Sequence, residues 1–297
     1  MMGELAALGA ALSWTVSAML YKKALSETKP LSANIVRLTS TSAILLIFLA
    51  IIGKLNFLTS LSMDVVVLAG FSGVIGLGIG DTLYMMSLKS IGVARAVPIT
   101  CTYPLFSLIW AACFKGELVT LPVVLGAVAI ALGIWLLSQE NKTNNFGIQK
   151  RELYKGVAFA LATAIAWSIS ITMINVAVKE NADLDHALVI NAVRVTAIAI
   201  ALFASFPLVS RGLGFGKMNR KAVITLFVGG IIALGLGWFF LTYSFIETLE
   251  SRAVPISSTT PLFSALAGMA LLHEKVTARN FLGSVIIVGG IFLIFLV

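Results

Sequence analysis

Three ionisable side chains stand inside apolar stretches of this sequence: Arg37, Asp81 and Arg194. A charge surrounded by hydrocarbon is costly, so a chain that keeps one there pairs it, wets it or uses it. Arg37 and Arg194 each follow an asparagine, Asn34 and Asn191, by three residues. Each lies some six residues into its apolar run, roughly 9 Å deep at 1.5 Å per residue, from where a long side chain can still snorkel to an interface. The repeated Asn-x-x-Arg spacing fits a fixed structural contact, such as a carbonyl freed at a broken helix, and it also fits a contact to substrate. Asp81 has no acidic counterpart. It could carry a proton, balance a cationic solute, pair with Arg37, or face water near a helix end.

Prolines and hydroxyls form a second group. Pro98 and Pro104 lie six apart, as do Pro255 and Pro261. Proline removes a backbone donor and frees a carbonyl one turn back, which hydrocarbon tolerates only where the carbonyl meets protein or a water-filled cavity. Between the prolines stand Thr100, Thr102 and Tyr103 in one case, and Ser257, Ser258, Thr259 and Thr260 in the other. Either these hydroxyls bond their own backbone at helix kinks, or they line a polar cavity at mid-membrane. Trp14, Trp167, Trp238, Tyr84 and Tyr243 could wall such a cavity for flat or amphipathic solutes, or sit in an interfacial belt. Glu117 and Glu274 fall at the ends of runs, as caps or orienters of the next helix. Cys101 and Cys113 share one apolar run without a nearby histidine, and His186 and His273 lie in or beside loops. No metal site and no cofactor is expected.

These residues must be positioned by helices in a bilayer. Of 297 residues, 59% are hydrophobic and only 11% charged, with a mean hydropathy of +1.02; soluble domains carry about 25% charged residues. The net charge of +8 comes from Lys and Arg scattered between apolar runs, which excludes a nucleic-acid patch. Spans of about 20 apolar residues are expected near 4–21, 31–52, 65–88, 92–114, 119–138, 154–177, 187–209, 221–245, 249–272 and 277–297. The first is read as a retained helix, since no basic segment precedes it.

From Leu31 onward the chain repeats itself at an offset of 157 residues. Asn34 and Arg37 match Asn191 and Arg194, and Gly78 and Gly80 match Gly235 and Gly237. Arg95-Ala96-Val97-Pro98 recurs as Arg252-Ala253-Val254-Pro255, and Pro104-Leu105-Phe106-Ser107 as Pro261-Leu262-Phe263-Ser264. Glu117, Gly126 and Gly133 match Glu274, Gly283 and Gly290, while Trp14 aligns with Trp167 if the second copy's first loop is four residues longer. Chance similarity between apolar runs yields scattered Leu and Val matches, not Arg, Pro and Glu in register. The expected fold is therefore an all-α integral membrane protein of about ten transmembrane helices, in two inverted five-helix repeats around a central cavity. Residues 1–140 form the first repeat, 141–153 a polar linker and 154–297 the second. Five spans per unit reverse the second copy. Leaving out Arg37 and Arg194, 15 of the remaining 19 Lys and Arg fall on the cytoplasmic side if the N-terminus is outside, so the positive-inside rule places both termini outside.

With the duplicated unit, the Asn-x-x-Arg pairs, the Ala-x-Pro and Pro-Leu-Phe segments, and the endings Gly116-Glu117-Leu118-Val119-Thr120 and His273-Glu274-Lys275-Val276-Thr277, the whole chain resembles the EamA type of the drug/metabolite transporter superfamily. His273 departs from the usual glycine. The resemblance implies a cavity walled by spans one, three, four, six, eight and nine. It also implies secondary transport of small metabolites, often amino acids or related compounds and frequently as efflux, with some members carrying nucleotide sugars or phosphorylated sugars. No basic pair deep in the cavity spans marks a phosphorylated substrate here. The expectation is a cell-membrane exporter or exchanger working by alternating access, with a small-molecule substrate, a lipid bilayer, no nucleic acid, and a monomeric or homodimeric state. A channel or lipid-handling protein is the alternative. An intramembrane enzyme would need a nucleophile with its base, or paired metal ligands within spans.

Overall fold

The structure, a computed structural model, describes residues 2–115, 120–137, 150–180, 183–209, 218–248, 253, 256–272 and 276–294. Pro255, Glu117, Glu274, His273 and most of the linker lie outside the described residues.

Among the described residues every regular element is helical. In chain order they are α1 (Met2–Ala24), α2 (Pro30–Ile51), the short α3 (Phe57–Ser60), α4 (Met63–Ser72), a π-helical segment π1 (Gly73–Gly80), α5 (Asp81–Ile91), α6 (Val93–Thr100), α7 (Tyr103–Lys115) and α8 (Leu121–Leu137). Then come α9 (Lys150–Glu180), α10 (Leu184–Val209), α11 (Arg220–Gly230), a second π segment π2 (Ile231–Gly237), α12 (Trp238–Glu247), α13 (Thr260–Leu272) and α14 (Ala278–Ile294). Among the described residues, six continuous helical stretches are long and apolar enough to cross a membrane: Met2–Ala24, Pro30–Ile51, Met63–Ile91, Lys150–Val178, Leu184–Ala204 and Arg220–Ser244. Shorter apolar helices are Leu121–Leu137, Thr260–Leu272 and Ala278–Ile294.

The distribution of polarity fits a hydrocarbon solvent. Met63, Phe203 and Leu121 are at least 70% exposed, whereas Arg37 and Arg194 are 2% and 1% exposed. A water-soluble protein reverses that order. Serine and threonine side chains inside mostly donate to carbonyls of their own helices, as Thr15 does to Ala11 O (2.9 Å) and Ser284 to Asn280 O (3.0 Å), so their hydroxyls cost little in lipid.

Local chemistry sets the element ends. Pro30 opens α2, where its missing N–H is no loss. The Ser62 side chain caps α4 by accepting from Val65 N. Gly92 joins α5 to α6 at φ 79°, a conformation that L side chains resist. The span expected at 92–114 is broken into α6 and α7 by a turn at Cys101 and Thr102, with Pro98 inside α6 and Pro104 second in α7. Helix α9 starts at Lys150, inside the stretch read as linker, because Lys150, Arg151 and Glu152 extend it with charged residues that hydropathy does not register.

Packing exchanges partners between the halves. Helix α1 packs on α11, π2, α12 and α13, while its repeat mate α9 packs on α4, π1, α5, α6 and α7. The mates α2 and α10 touch each other, as do α8 and α14. In the α8–α14 seam, a Cβ built on Gly126 would lie 2.6 Å from Gly290 O, and one on Gly133 would lie 2.8 Å from Gly283 O. The backbones of the two helices meet directly, as small-residue helix pairs in membranes do.

Candidate functional site

The geometry begins at the two π segments. Both fall on the glycine-rich stretches that match in the repeat, and an i→i+5 pattern leaves carbonyls poorly used within the helix. Asn34 Nδ2 donates to Leu77 O (2.8 Å), Gly78 O (3.2 Å) and Thr82 Oγ1 (2.9 Å). At the matching place Asn191 Nδ2 donates to Leu234 O (2.8 Å). Each asparagine thus pins its repeat's π segment, and the segment delivers the next residue, Asp81 or Trp238, to the protein centre.

There the two copies diverge. Arg37 Nη2 donates to Asn34 Oδ1 (2.8 Å) and forms an ion pair with Asp81, Arg37 Nη1 donates to Tyr21 Oη (3.3 Å), and its guanidinium lies 5.1 Å from the Tyr21 ring centroid. The other Asp81 oxygen accepts from Trp167 Nε1 (2.7 Å). Of the readings open for Asp81, the partner of Arg37 is the one this arrangement displays. Arg194 has no carboxylate at the corresponding position. Its Nη2 donates to Ser170 Oγ (2.8 Å), and its guanidinium lies 4.0 Å from the Trp238 ring centroid, a cation–π contact.

The tryptophans are seated by glycine. A Cβ on Gly80 would come within 2.9 Å of Trp167 Cδ1, and one on Gly237 within 2.6 Å of Trp14 Nε1. Trp167 meets Tyr84 at 5.2 Å and Tyr103 at 6.5 Å between centroids, and Trp14 meets Trp238 at 6.3 Å. Trp14 Nε1–H donates to Ala233 O (3.3 Å).

These groups wall a cavity of about 770 Å³, counted with the space at its mouth. Of the residues singled out in the sequence, Trp14, Arg37, Asp81, Tyr84, Tyr103, Trp167, Arg194, Trp238 and Thr260 line it. Thr102, Thr259 and Tyr243 are not among its lining residues. Thr102 Oγ1 donates to Ile99 O and Thr259 Oγ1 to Ile256 O, both at 2.7 Å, which is the kink role; Tyr243 stacks on Phe239 at 6.3 Å instead. The turns match, since Thr102 N bonds Ile99 O (3.2 Å) and Thr259 N bonds Ile256 O (3.1 Å). Thr100, Ser257 and Ser258 border the cavity from these turns. Asn34 and Asn191 stand behind it as supports. Pro98 is buried within α6, and Pro261 occupies the second position of α13.

Sequence reasoning passes over Ser17, Tyr21 and Ile171 in the wall, and Ser170 beside Arg194. Ser17 and Ser170 carry a usable signal, since they match under the same four-residue shift that aligns Trp14 with Trp167. Tyr21 carries none, because its match under that shift is Ile174. Among the described residues no group of three or more His, Cys, Asp or Glu is placed to hold a metal ion.

Comparison with known proteins follows the same two-part plan. A model of the EamA-like transporter family matches residues 1–139 and again residues 154–296. An uncharacterized transporter of Archaeoglobus fulgidus is 24% identical over 301 residues, covering 100% of this chain and 99% of that one. A protein of Bacillus cereus named as a probable glucose uptake protein, GlcU, is 26% identical over 235 residues, 74% of this chain and 76% of its own length. A solved crystal structure superposes with a TM-score of 0.65 at 19% identity, covering 98% of this chain and 95% of that one.

Proposed function

We propose that this chain, which belongs to the EamA-like transporter family and is a multi-pass membrane transporter, carries small organic metabolites such as amino acids or related compounds by alternating access, as an exporter or exchanger in the cell membrane. The observation that carries the reading is the cavity, whose walls come from matched positions of both halves: Trp14 with Trp167, Arg37 with Arg194, and Asp81 with Trp238. The architecture proposed around it is ten spans in two inverted five-helix repeats. The exchange of partners by α1 and α9, the paired π segments and the matched turns support it. Two such bundles rocking about a shared site expose it to one side and then the other. The protein works on a small-molecule substrate in the bilayer, as a monomer or homodimer, and needs no cofactor.

In proteoliposomes holding the purified chain, at least one solute from a panel of amino acids, amines, carboxylates and sugars should exchange well above empty liposomes and saturate with concentration. Flux that rises without saturation for every permeant solute would favour the channel alternative, and no flux across the panel would remove the transport reading. Sugars are on the panel for a stated reason. Relatives in Bacillus cereus are named as glucose and sugar uptake proteins, and flat apolar ring walls suit the faces of a sugar as well as those of an aromatic solute.

Both termini are placed outside, from the Lys and Arg distribution. A cysteine introduced by Asn145→Cys in the polar linker should then resist a membrane-impermeant thiol reagent in intact cells and react after permeabilisation. Labelling in intact cells would reverse the orientation.

A further inference from the structure

The two buried arginines have unequal surroundings. Arg37 is met by the carboxylate of Asp81, the amide oxygen of Asn34 and the hydroxyl of Tyr21. Arg194, equally buried, donates to Ser170 where Arg37 donates to its own asparagine, and no acidic group pairs with it among the described residues. Its Nε and Nη1 have no hydrogen-bond partner there, and neither does Asn191 Oδ1. The hydrogen bonds of Asp81 go to Arg37 and Trp167, not to Arg194. The guanidinium nevertheless lines the cavity beneath Trp238. A cation taken out of water needs a countercharge or a full set of hydrogen bonds, and this one has a face of an aromatic ring and one serine.

We propose that the missing countercharge arrives with the cargo: Arg194 receives the carboxylate of a small monocarboxylate, whose apolar body lies against Trp238, Trp14 and Trp167. The assignment rests on the transport reading and narrows it. A guanidinium that pairs with no acidic group among the described residues matches a single negative charge. A dianionic phosphate would need the second arginine, and Asp81 holds that one. A neutral sugar would leave the charge of Arg194 unanswered. Guanidinium is suited to the task, since it presents several N–H donors in one plane to a carboxylate and stacks on an indole at the same time.

The test compares two probes of one shape, phenylacetate and its neutral amide phenylacetamide, on the purified full chain in detergent, read by quenching of tryptophan fluorescence from the cavity wall. Phenylacetate should bind at least about tenfold tighter than the amide, the size expected of a hydrogen bond to a charged group. Arg194→Gln should bring the two within about twofold, and Arg194→Lys, which keeps the charge without the planar fork, should keep only part of the preference. Equal binding of the two probes by the unaltered protein, no binding of phenylacetate at millimolar concentration, or a preference that survives Arg194→Gln would each overturn the assignment. The comparison on the unaltered protein stands even where a variant does not fold. The two readings fail separately. Carboxylate-selective binding without exchange of any panel solute across proteoliposomes removes transport and keeps the role of Arg194. Exchange of neutral solutes without carboxylate preference does the reverse.

Discussion

Asp81→Asn should leave little folded protein. The substitution keeps the shape of the side chain and an oxygen for Trp167 Nε1 to donate to, and puts an amide NH2 donor where the charged acceptor faced Arg37. Breaking a buried ion pair from one side costs about 3–5 kcal/mol, because the remaining ion stays desolvated and unpaired. Against a total stability of about 5–15 kcal/mol, that is enough to lower yield and melting temperature sharply. Removing both charges, as in Asp81→Asn with Arg37→Gln, should recover a large part of the loss, since the pair itself returns little beyond the cost of its desolvation. The thermal midpoints of the two single variants and the double variant, in one detergent, give the coupling directly. A single Asp81→Asn variant with an unchanged midpoint would show that the pair does not hold the fold. The double variant also separates structure from proton coupling. If it folds and its flux still follows a pH gradient, Asp81 carries no coupled proton; if flux persists but loses a pH dependence that the unaltered protein shows, the Asp81–Arg37 pair carries the coupling.

The second large effect belongs to the α8–α14 seam. At Gly133 a Cβ would meet the carbonyl oxygen of Gly283 and the side chain of Ile287; at Gly126 it would meet Gly290 O and Ile294. Backbone cannot rotate aside as a side chain can, so the helices must separate. Overpacking costs about 1–3 kcal/mol for modest additions and more when the backbone must move. Gly133→Leu should therefore lower the melting midpoint strongly and broaden the elution profile, with Gly126→Leu close behind. Gly289, on the same helix α14, supplies the control, because nothing lies within 4 Å of a Cβ built there. Gly289→Ala should leave the midpoint unchanged or raise it, by up to about 1 kcal/mol of stability from the better helix propensity. Equal damage at positions 133 and 289 would dismiss the seam.

Much of this site is legible in the amino-acid sequence, for reasons that particular residues make plain. Arg37 and Arg194 announce themselves because a charge in a long apolar run has few neutral explanations. Trp14 and Trp167 follow from the repeat once the first loop is allowed four extra residues. Thr102, Thr259 and Tyr243 mislead. Hydroxyls at a proline-broken turn have carbonyls of their own within reach, and composition does not say which neighbour they choose. Tyr21 is invisible because the repeat does not reproduce it, yet it lies over Arg37 and donates to Gly229 O at 2.8 Å. The π segments escape notice for a different reason. Glycine-rich helical stretches signal close packing, and nothing in their spacing separates an i→i+4 from an i→i+5 ladder; only Asn34 reaching for Leu77 O and Gly78 O makes the difference visible.

Those two ladders also fix how far the chain turns before it reaches the site. A π turn holds roughly one residue more than an α turn, and one residue at α pitch corresponds to about 100° around the axis. If π1 tightened to α geometry, Asp81, the first residue beyond it, would swing away from Arg37; the same tightening of π2 would swing Trp238 off Arg194. Two short coils, placed alike in the two halves and each held by one asparagine, set the angle at which Asp81 and Trp238 face the cavity.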